Sequence, residues 1–387
     1  MGVPTPAGSS ESGVPVGVAT RRLAVDVLER VEQGAYANLA LPAALGRSGL
    51  EEQDRALVTD LVYGTLRRRR ACDAAITPYL ERIPSGAAHQ ALRIGAYQLR
   101  WRTDMPQYAA VDATVSAAPK KLRGLVNAVL RKVARASGDP LGQYDELSYP
   151  DWVVERLVAD LGESDALAAL AQMNEPARPT LRADGYTQDL ASQWVVDAVG
   201  AQAGELVVDV CAAPGGKATG MASSGATVVA LDLYTQRAGL VAGNAAKLGQ
   251  SMPVLAADAT RLPLRPGSAD RVLVDAPCSG LGVLRRRPDA RWRVKADLPE
   301  RLSVLQREIL DAAVTLLKPG GTLVYSVCTL TAAESTDVDA HLAGRHPRLV
   351  ALDPVGEPWQ PWGRGAMVLP QTVGTDGMCV FRYRLDA

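Results

Sequence analysis

Apolar positions recur at helical spacing from Thr20 to about Ala136. Leu125, Val126, Val129, Leu130 and Val133 form one stripe, and Leu57, Val58, Leu61 and Val62 form another. The spacing predicts an all-α domain over residues 19–137. Its breaks fall at Leu41-Pro42, Ile83-Pro84-Ser85-Gly86 and Met105-Pro106, where a missing backbone donor punctuates helices. Residues 138–150 hold two prolines and two glycines and read as a linker. A further helical segment over 151–200 follows, and then the pattern changes. The runs Leu206-Val207-Val208, Val228-Val229-Ala230-Leu231, Val254-Leu255-Ala256, Val272-Leu273-Val274 and Leu323-Val324-Tyr325 are nearly continuous in apolar residues and alternate with helical stretches. Such strands are covered on both faces, so residues 201–387 are expected to form a parallel, doubly wound α/β domain. Met378-Cys379-Val380-Phe381-Arg382-Tyr383 is a final sheet strand after a long loop carrying Trp359 and Trp362. Residues 1–18, rich in Gly, Pro and Ser without periodicity, read as a disordered leader.

A chain of 387 residues exceeds what one core usually holds, in keeping with this two-domain division. With 47% hydrophobic and 22% charged residues, fibrous and disordered classes are excluded. No window approaches the roughly 20 uninterrupted apolar residues of a membrane span, and the start lacks a basic-then-apolar signal, so a soluble, cytoplasmic protein is expected. Cys72, Cys211, Cys278, Cys328 and Cys379 are an odd set without a CxxC pair and suit reduced thiols. His89, His341 and His346 show no metal-ligand grouping, so no metal is expected. Charge is uneven: residues 18–137 carry 19 Lys and Arg against 11 Asp and Glu, while the remainder is mildly acidic. A basic module preceding an acidic one suits a polyanion-binding appendage on an enzyme, or a solvated charged helix face.

Ligands of open α/β sheets bind beyond the carboxyl ends of the strands. The first run ends in Asp209-Val210-Cys211-Ala212-Ala213-Pro214-Gly215-Gly216-Lys217, a small-residue turn that brings backbone amides to a ligand at a helix N-terminus. A phosphate-binding loop would need Gly at 211 and Ser or Thr at 218, where Cys211 and Ala218 stand, and no GxGxxG fingerprint is present. What remains is a nucleoside-type cofactor pocket. The second run ends at Asp232, placed to accept from ribose hydroxyls or to cap the next helix. The third ends at Asp258, placed for a purine amine or for an N-cap. The fourth ends in Asp275-Ala276-Pro277-Cys278 and the fifth in Tyr325-Ser326-Val327-Cys328-Thr329. One buried thiol is usually a small hydrophobe, but two at neighbouring strand ends point to nucleophilic catalysis.

The stretches DVCAAPGGKAT (209–219), DAPCSGLGVLRRRPDARWR (275–293), LLKPGGTLVYSVCTL (316–330) and DGMCVFRYRL (376–385) resemble the RNA 5-methylcytosine methyltransferases of the RsmB (Sun, Fmu) type. DRALVTDLVYGTLRRR (54–69), ALRIGAYQLRW (91–101) and RGLVNAVLRKVAR (123–135) are similar to the RNA-binding domain of NusB. Together the similarities cover most of residues 20–387. The sequence departs from the family pattern at Val327-Cys328-Thr329, where Thr-Cys-Ser is usual, at Met378-Cys379 and at Ala183-Asp184.

The resemblance implies a class I, Rossmann-like methyltransferase fold using S-adenosylmethionine. Its cofactor site would be lined by Cys211, Ala212, Ala213, Pro214, Gly215, Gly216, Lys217, Asp232, Asp258 and Asp275. It implies Cys328 as the nucleophile toward carbon 6 of cytosine, Cys278 as the thiol that helps remove the carbon 5 proton, Asp275 at the cytosine edge and Lys217 in support. The implied partner is RNA, with small-subunit (16S) ribosomal RNA or an assembling subunit foremost. Transfer RNA, or an inert RNA-binding assembly or antitermination factor, are the alternatives. Arg285, Arg286, Arg287, Arg291 and Arg293, with Trp292 interleaved, are expected to hold phosphates and stack a base. Arg67, Arg68, Arg69, Arg70, Lys120, Lys121 and Arg123 are expected to give the helical domain its RNA surface.

Overall fold

The computed structural model describes residues 15–386. The chain divides into two units, one comprising the residues up to Asp151 together with Arg287–Arg293, the other Trp152–Arg286 with Val294 onwards. The first unit is helical: α1 (Val16–Glu32), α2 (Ala37–Leu45), α3 (Glu52–Arg67), α4 (Arg69–Ile76), α5 (Ala87–Trp101), α6 (Gln107–Ala117), α7 (Arg123–Arg135) and α8 (Gln143–Leu147). The stripes read from the sequence are its core. Val58, Leu61 and Val62 of α3 and Val126, Val129, Leu130 and Val133 of α7 are buried with Leu28, Leu92 and Ile94. Each such side chain contributes about 1.5–3 kcal/mol by leaving water.

Two expectations for this unit are corrected, and a third is corrected only at its end. Residues 1–14 of the expected leader lie outside the described residues, and α1 already begins at Val16. Pro42 does not break a helix but lies inside α2, a nine-residue helix whose Ala37, Ala40, Leu41, Ala44 and Leu45 are buried. Burial of that face outweighs the one intrahelical bond a proline removes. Residues 138–150, read as a linker, include α8 over Gln143–Leu147, and Ser148 and Tyr149 are fully buried. Ser148 Oγ accepts from the backbone N–H of Arg70 at 3.0 Å and of Ala71 at 3.3 Å, satisfying donors that the first turn of α4 leaves over. The Arg70 guanidinium binds Asp145 at 2.7 Å, Asp151 at 2.5 Å and the Tyr149 carbonyl at 3.0 Å.

The second unit begins with α9 (Asp151–Leu161), whose first residue still belongs to the first unit, followed by α10 (Glu163–Gln172) and α11 (Leu190–Val199). It continues as β1 (Leu206–Asp209), α12 (Gly216–Ala222), β2 (Thr227–Asp232), α13 (Thr235–Lys247), β3 (Val254–Ala256), β4 (Ala269–Asp275), α14 (Leu298–Val314), β5 (Leu317–Val327), α15 (Thr336–Arg345), β6 (Leu349–Ala351), β7 (Gln360–Trp362), β8 (Gly365–Val368), α16 (Pro370–Val373) and β9 (Met378–Leu385). Among the described residues these strands make one nine-stranded sheet, ordered β3-β2-β1-β4-β5-β9-β8-β7 with β6 also on β9. β1 to β5 are parallel and β9 runs antiparallel to β5. The five central strands and β9 are those the apolar runs predicted. β6, β7 and β8 are not, because they are three or four residues long and Gln360-Pro361-Trp362 has no apolar alternation. The segment with Trp359 and Trp362 is therefore partly a β7–β8 hairpin. The order reverses between β1 and β4, the switch point at which open α/β sheets hold ligands. The register pairs Asp209 with Leu273 and Asp275 with Ser326, bringing the polar ends of β1, β4 and β5 to one edge. Among the described residues, no helix is long and apolar enough to cross a membrane.

Candidate active site

The turn after β1 is shaped by Gly215, whose φ of 104° is open to glycine, and whose added Cβ would stand 3.1 Å from Val241 Cα. This turn leads directly into α12. Arg182 braces it, donating to the Gly216 carbonyl at 2.5 Å and to Thr219 Oγ1 at 3.1 Å. Asp232 closes the turn from β2: it is buried, and its carboxylate accepts from the Ala213 N–H at 3.2 Å and from Arg237 Nε at 3.0 Å. Asp232 does not cap α13, whose N-cap position is Tyr234. Asp258 is exposed and folds over its own turn, accepting from Thr260 N–H at 2.9 Å and Oγ1 at 2.8 Å, which hold its carboxyl below the usual range. Cys211 is mostly buried, and burial pushes its thiol up.

Lys217, on the first turn of α12, reaches Asp275 at the end of β4, with Nζ 2.7 Å from Oδ2. Ser326 of β5 donates to the other carboxylate oxygen at 2.7 Å. Burial alone would lower the Lys217 pKa, but the adjacent Asp275, with Cys328 and Asp209 nearby, raises it, so the ammonium is retained. The two thiols at the ends of β4 and β5 come together, with Cys278 Sγ 3.2 Å from Cys328 Sγ. The hydrogen bond to Cys328 and burial together push the Cys278 thiol well above its ordinary value. The raised Cys278 thiol therefore keeps its proton at rest, within hydrogen-bond reach of the Cys328 sulfur. Gly282 lets the loop after Cys278 approach closely: its N–H donates to the Cys328 carbonyl at 3.0 Å, and a Cβ there would lie 2.1 Å from the Gly377 carbonyl oxygen.

The arginine-rich segment after Cys278 is a correction. Arg285 is buried and donates to the carbonyls of Gly374 at 2.5 Å and Thr375 at 3.0 Å. Arg286 bridges Asp376 at 2.7 Å and Asp189 at 2.5 Å. In the helical unit, Arg291 is 0% exposed, donates to the carbonyls of Arg67 at 3.0 Å and Ser148 at 3.2 Å, and lies 3.9 Å over the Tyr149 ring. Burial lowers its pKa to about 10. Trp292 donates to the Leu66 carbonyl at 3.0 Å beneath the Arg69 guanidinium, and Arg293 donates to the carbonyls of Gly34 and Ala35. Arg285, Arg291 and Arg293 are structural because a guanidinium's several donors satisfy loop and helix-end carbonyls that would otherwise be orphaned, Trp292 caps one more such carbonyl, and Arg286 is held between two carboxylates. Arg287 alone of this set is exposed. Of the helical residues expected to meet RNA, Arg67 is buried, Arg68 donates to the Glu146 carbonyl, Arg69 pairs with Glu32, and Arg70 is held as described. Arg123 donates to the carbonyls of Ala118 and Ser116, whereas Lys120 and Lys121 are exposed. A groove of about 450 Å³ between α6 and α7 is lined by Tyr108, Asn127, Arg131 and Arg135.

Two buried carboxylates at the α/β site have no role assigned from the sequence. Asp209 ends β1 fully buried. Its Oδ2 has no hydrogen-bond partner among the described residues, and burial, with Asp275 and Asp232 nearby, raises its carboxyl to about 7. Its place at a strand end was the available signal. Glu334, also fully buried, bonds Ser279 next to Cys278, and its sequence neighbourhood offers no such signal. The unpartnered Asp209 oxygen, the fixed Asp232 carboxylate and the glycine turn fit a nucleoside cofactor that also carries donors.

The 16S rRNA methyltransferase RsmB/F family matches residues 197–384, and the NusB family matches residues 18–135. A ribosomal RNA small subunit methyltransferase B from Thermus thermophilus is 36% identical over 94% of this chain and 97% of its own. A probable ribosomal RNA small subunit methyltransferase B from Bacillus subtilis is 30% identical over 95% of this chain and 98% of its own. The crystal structure of PH0851 shares the fold across 96% of this chain and 99% of that one, with a TM-score of 0.75 at 21% identity.

Proposed function

Because the chain belongs to the 16S rRNA methyltransferase RsmB/F family, we propose that it methylates carbon 5 of a cytosine in small-subunit ribosomal RNA through a covalent Cys328 adduct. The observation that carries this reading is the 3.2 Å approach of Cys278 and Cys328 beside the Lys217–Asp275 pair. The family's methyl donor is S-adenosylmethionine, which when bound supplies an electrophilic methyl group on a sulfonium. The residues that would hold it are the 211–217 turn, Asp232 toward the ribose, Asp258 toward the purine amine, and Asp275.

Carbon 5 of cytosine is a weak nucleophile. Addition of the Cys328 thiolate to carbon 6 makes carbon 5 enamine-like, which is why the chemistry needs a thiol. Asp275, held by Lys217 and Ser326, keeps lone pairs for the cytosine edge and stabilises positive charge there. Release requires loss of the carbon 5 proton. The Cys278 thiol, raised by Cys328 and by burial, first gives its own proton to solvent; the resulting thiolate takes the carbon 5 proton, the C5–H electron pair re-forms C5=C6, and the C6–S pair returns to Cys328. The cytosine must be single-stranded or extruded, since a stacked ring hides carbon 6. Exposed Lys120, Lys121 and Arg287 would contact phosphates.

The test is a trap. Cys278→Ala protein is expressed, RNA surviving denaturing gel conditions on the protein is sequenced, and Cys278→Ala with Cys328→Ala is the control. A small-subunit RNA adduct that vanishes in the control is expected. A protein that binds S-adenosylmethionine yet forms no adduct with small-subunit RNA ends this reading.

A further inference from the structure

Glu334 lies between β5 and α15 with 0% exposure. One carboxylate oxygen accepts from the Ser279 N–H at 2.7 Å and from Gln306 Nε2 at 3.2 Å. The other accepts from Ser279 Oγ at 2.5 Å and Thr331 Oγ1 at 3.1 Å. Ser279 directly follows Cys278, and Thr331 lies three residues beyond Cys328. Gln306, from α14, also donates to the carbonyl of Pro277 at 2.9 Å, so both residues flanking Cys278 are gripped by the same group of side chains. Ser279 Oγ and Thr329 Oγ1 lie 3.0 Å apart, giving the two thiol-bearing segments a second link. The Tyr325 hydroxyl donates to the Glu334 carbonyl at 2.6 Å and ties it to β5. Taking a carboxylate out of water costs several kcal/mol unless donors replace the hydration, and here hydroxyl, amide and backbone donors from three segments do so, with no cationic partner in contact among the described residues. Burial raises its pKa while Ser279 and Thr331 oppose that rise.

We propose that Glu334 is a positioning residue that sets the separation of the Cys278 and Cys328 thiols by clamping the segments that carry them. The inference rests on the two-thiol reading above. Addition to carbon 6 needs Cys328 alone, but release needs both sulfurs at one cytosine. Loosening the clamp therefore slows release and leaves addition intact.

The variants are Glu334→Gln, which keeps the shape but turns one acceptor into a donor, and Thr331→Val, which removes one hydroxyl contact and carries the test should the first fail to fold. Thermal midpoint and S-adenosylmethionine affinity report folding. Thiol separation is read as the rate at which diamide, taking one hydrogen from each thiol, closes the Cys278–Cys328 disulfide. Glu334→Gln is expected to slow closure about tenfold and lower kcat about tenfold, with KM for RNA within about twofold, as expected for misplacement of a reacting group. Thr331→Val is expected to show about threefold effects in the same direction. In a Cys278→Ala background, Glu334→Gln should alter adduct formation by less than about twofold, because addition to carbon 6 needs Cys328 alone. Unchanged disulfide closure in either folded variant overturns the proposal, as does an equal loss of addition and turnover. If Cys278→Ala traps no RNA while closure still responds to Glu334, the cytosine reading falls and the clamp stands.

Discussion

In the helical unit Arg291 is fully buried and donates to the carbonyls of Arg67 and Ser148, whereas in the α/β unit Lys217 is held against Asp275 beside two thiols. Both cations are taken from water, but their partners differ. Carbonyls at helix and loop ends ask only for donors, and any long basic side chain within reach can answer. A carboxylate at a sheet switch point, next to sulfur, has chemistry to offer a ligand. Basic residues therefore say little about function until their partners are known, while polar groups ending parallel strands say a great deal.

That contrast breaks first at Cys328. Cys328→Ala should reduce methyl transfer at least about 10³-fold with S-adenosylmethionine affinity unchanged; a smaller loss in a radiolabelled methyl assay would make the thiol a packing residue after all. Next, Arg291→Ala should destabilise the helical unit by about 3 kcal/mol, because it leaves carbonyls and the Tyr149 face without their cation. Hydrogen exchange should then quicken in α3 and α4 while cofactor affinity holds. Unaltered exchange would return Arg291 to the RNA-facing set.

Asp209 sharpens the comparison through pH. Its carboxyl is raised to about 7, so the folded protein keeps a proton that the unfolded chain releases near pH 4, and stability falls as pH rises between those values. Asp209→Asn should raise the thermal midpoint at pH 8, by about 2 kcal/mol in free energy, with the gain narrowing toward pH 4. A gain independent of pH would place the charge elsewhere. The smallest effect is at the surface: Lys120→Ala with Lys121→Ala should weaken RNA binding about three- to tenfold and lower the salt slope by about 1–2. An unaltered slope would remove these lysines from the RNA path.

The gathering of Asp275, Cys278 and Cys328 at one sheet edge was legible because each ends an apolar run, and a parallel sheet must bring such ends together. The helical core was legible for a similar reason, since Val126, Val129, Leu130 and Val133 repeat with the helix. Arg285, Arg291 and Arg293 misled because a guanidinium looks the same in sequence whether it faces solvent or a carbonyl. Pro42 misled because local propensity yielded to the buried face of α2. Glu334 was illegible: its partners at 279, 306 and 331 meet only after the sheet and α14 have assembled.

Residues 287–293 belong with the helical unit although they arrive long after Asp151 in the chain. On a translating ribosome the bundle therefore emerges without Arg291, and Tyr149 and the carbonyls of Arg67 and Ser148 wait for it until the fourth strand has been made. The helical unit is not a detachable cassette. A gene fragment ending at residue 151 would encode a bundle lacking one of its own buried parts, and a transplant between relatives would have to carry two separate pieces of coding sequence.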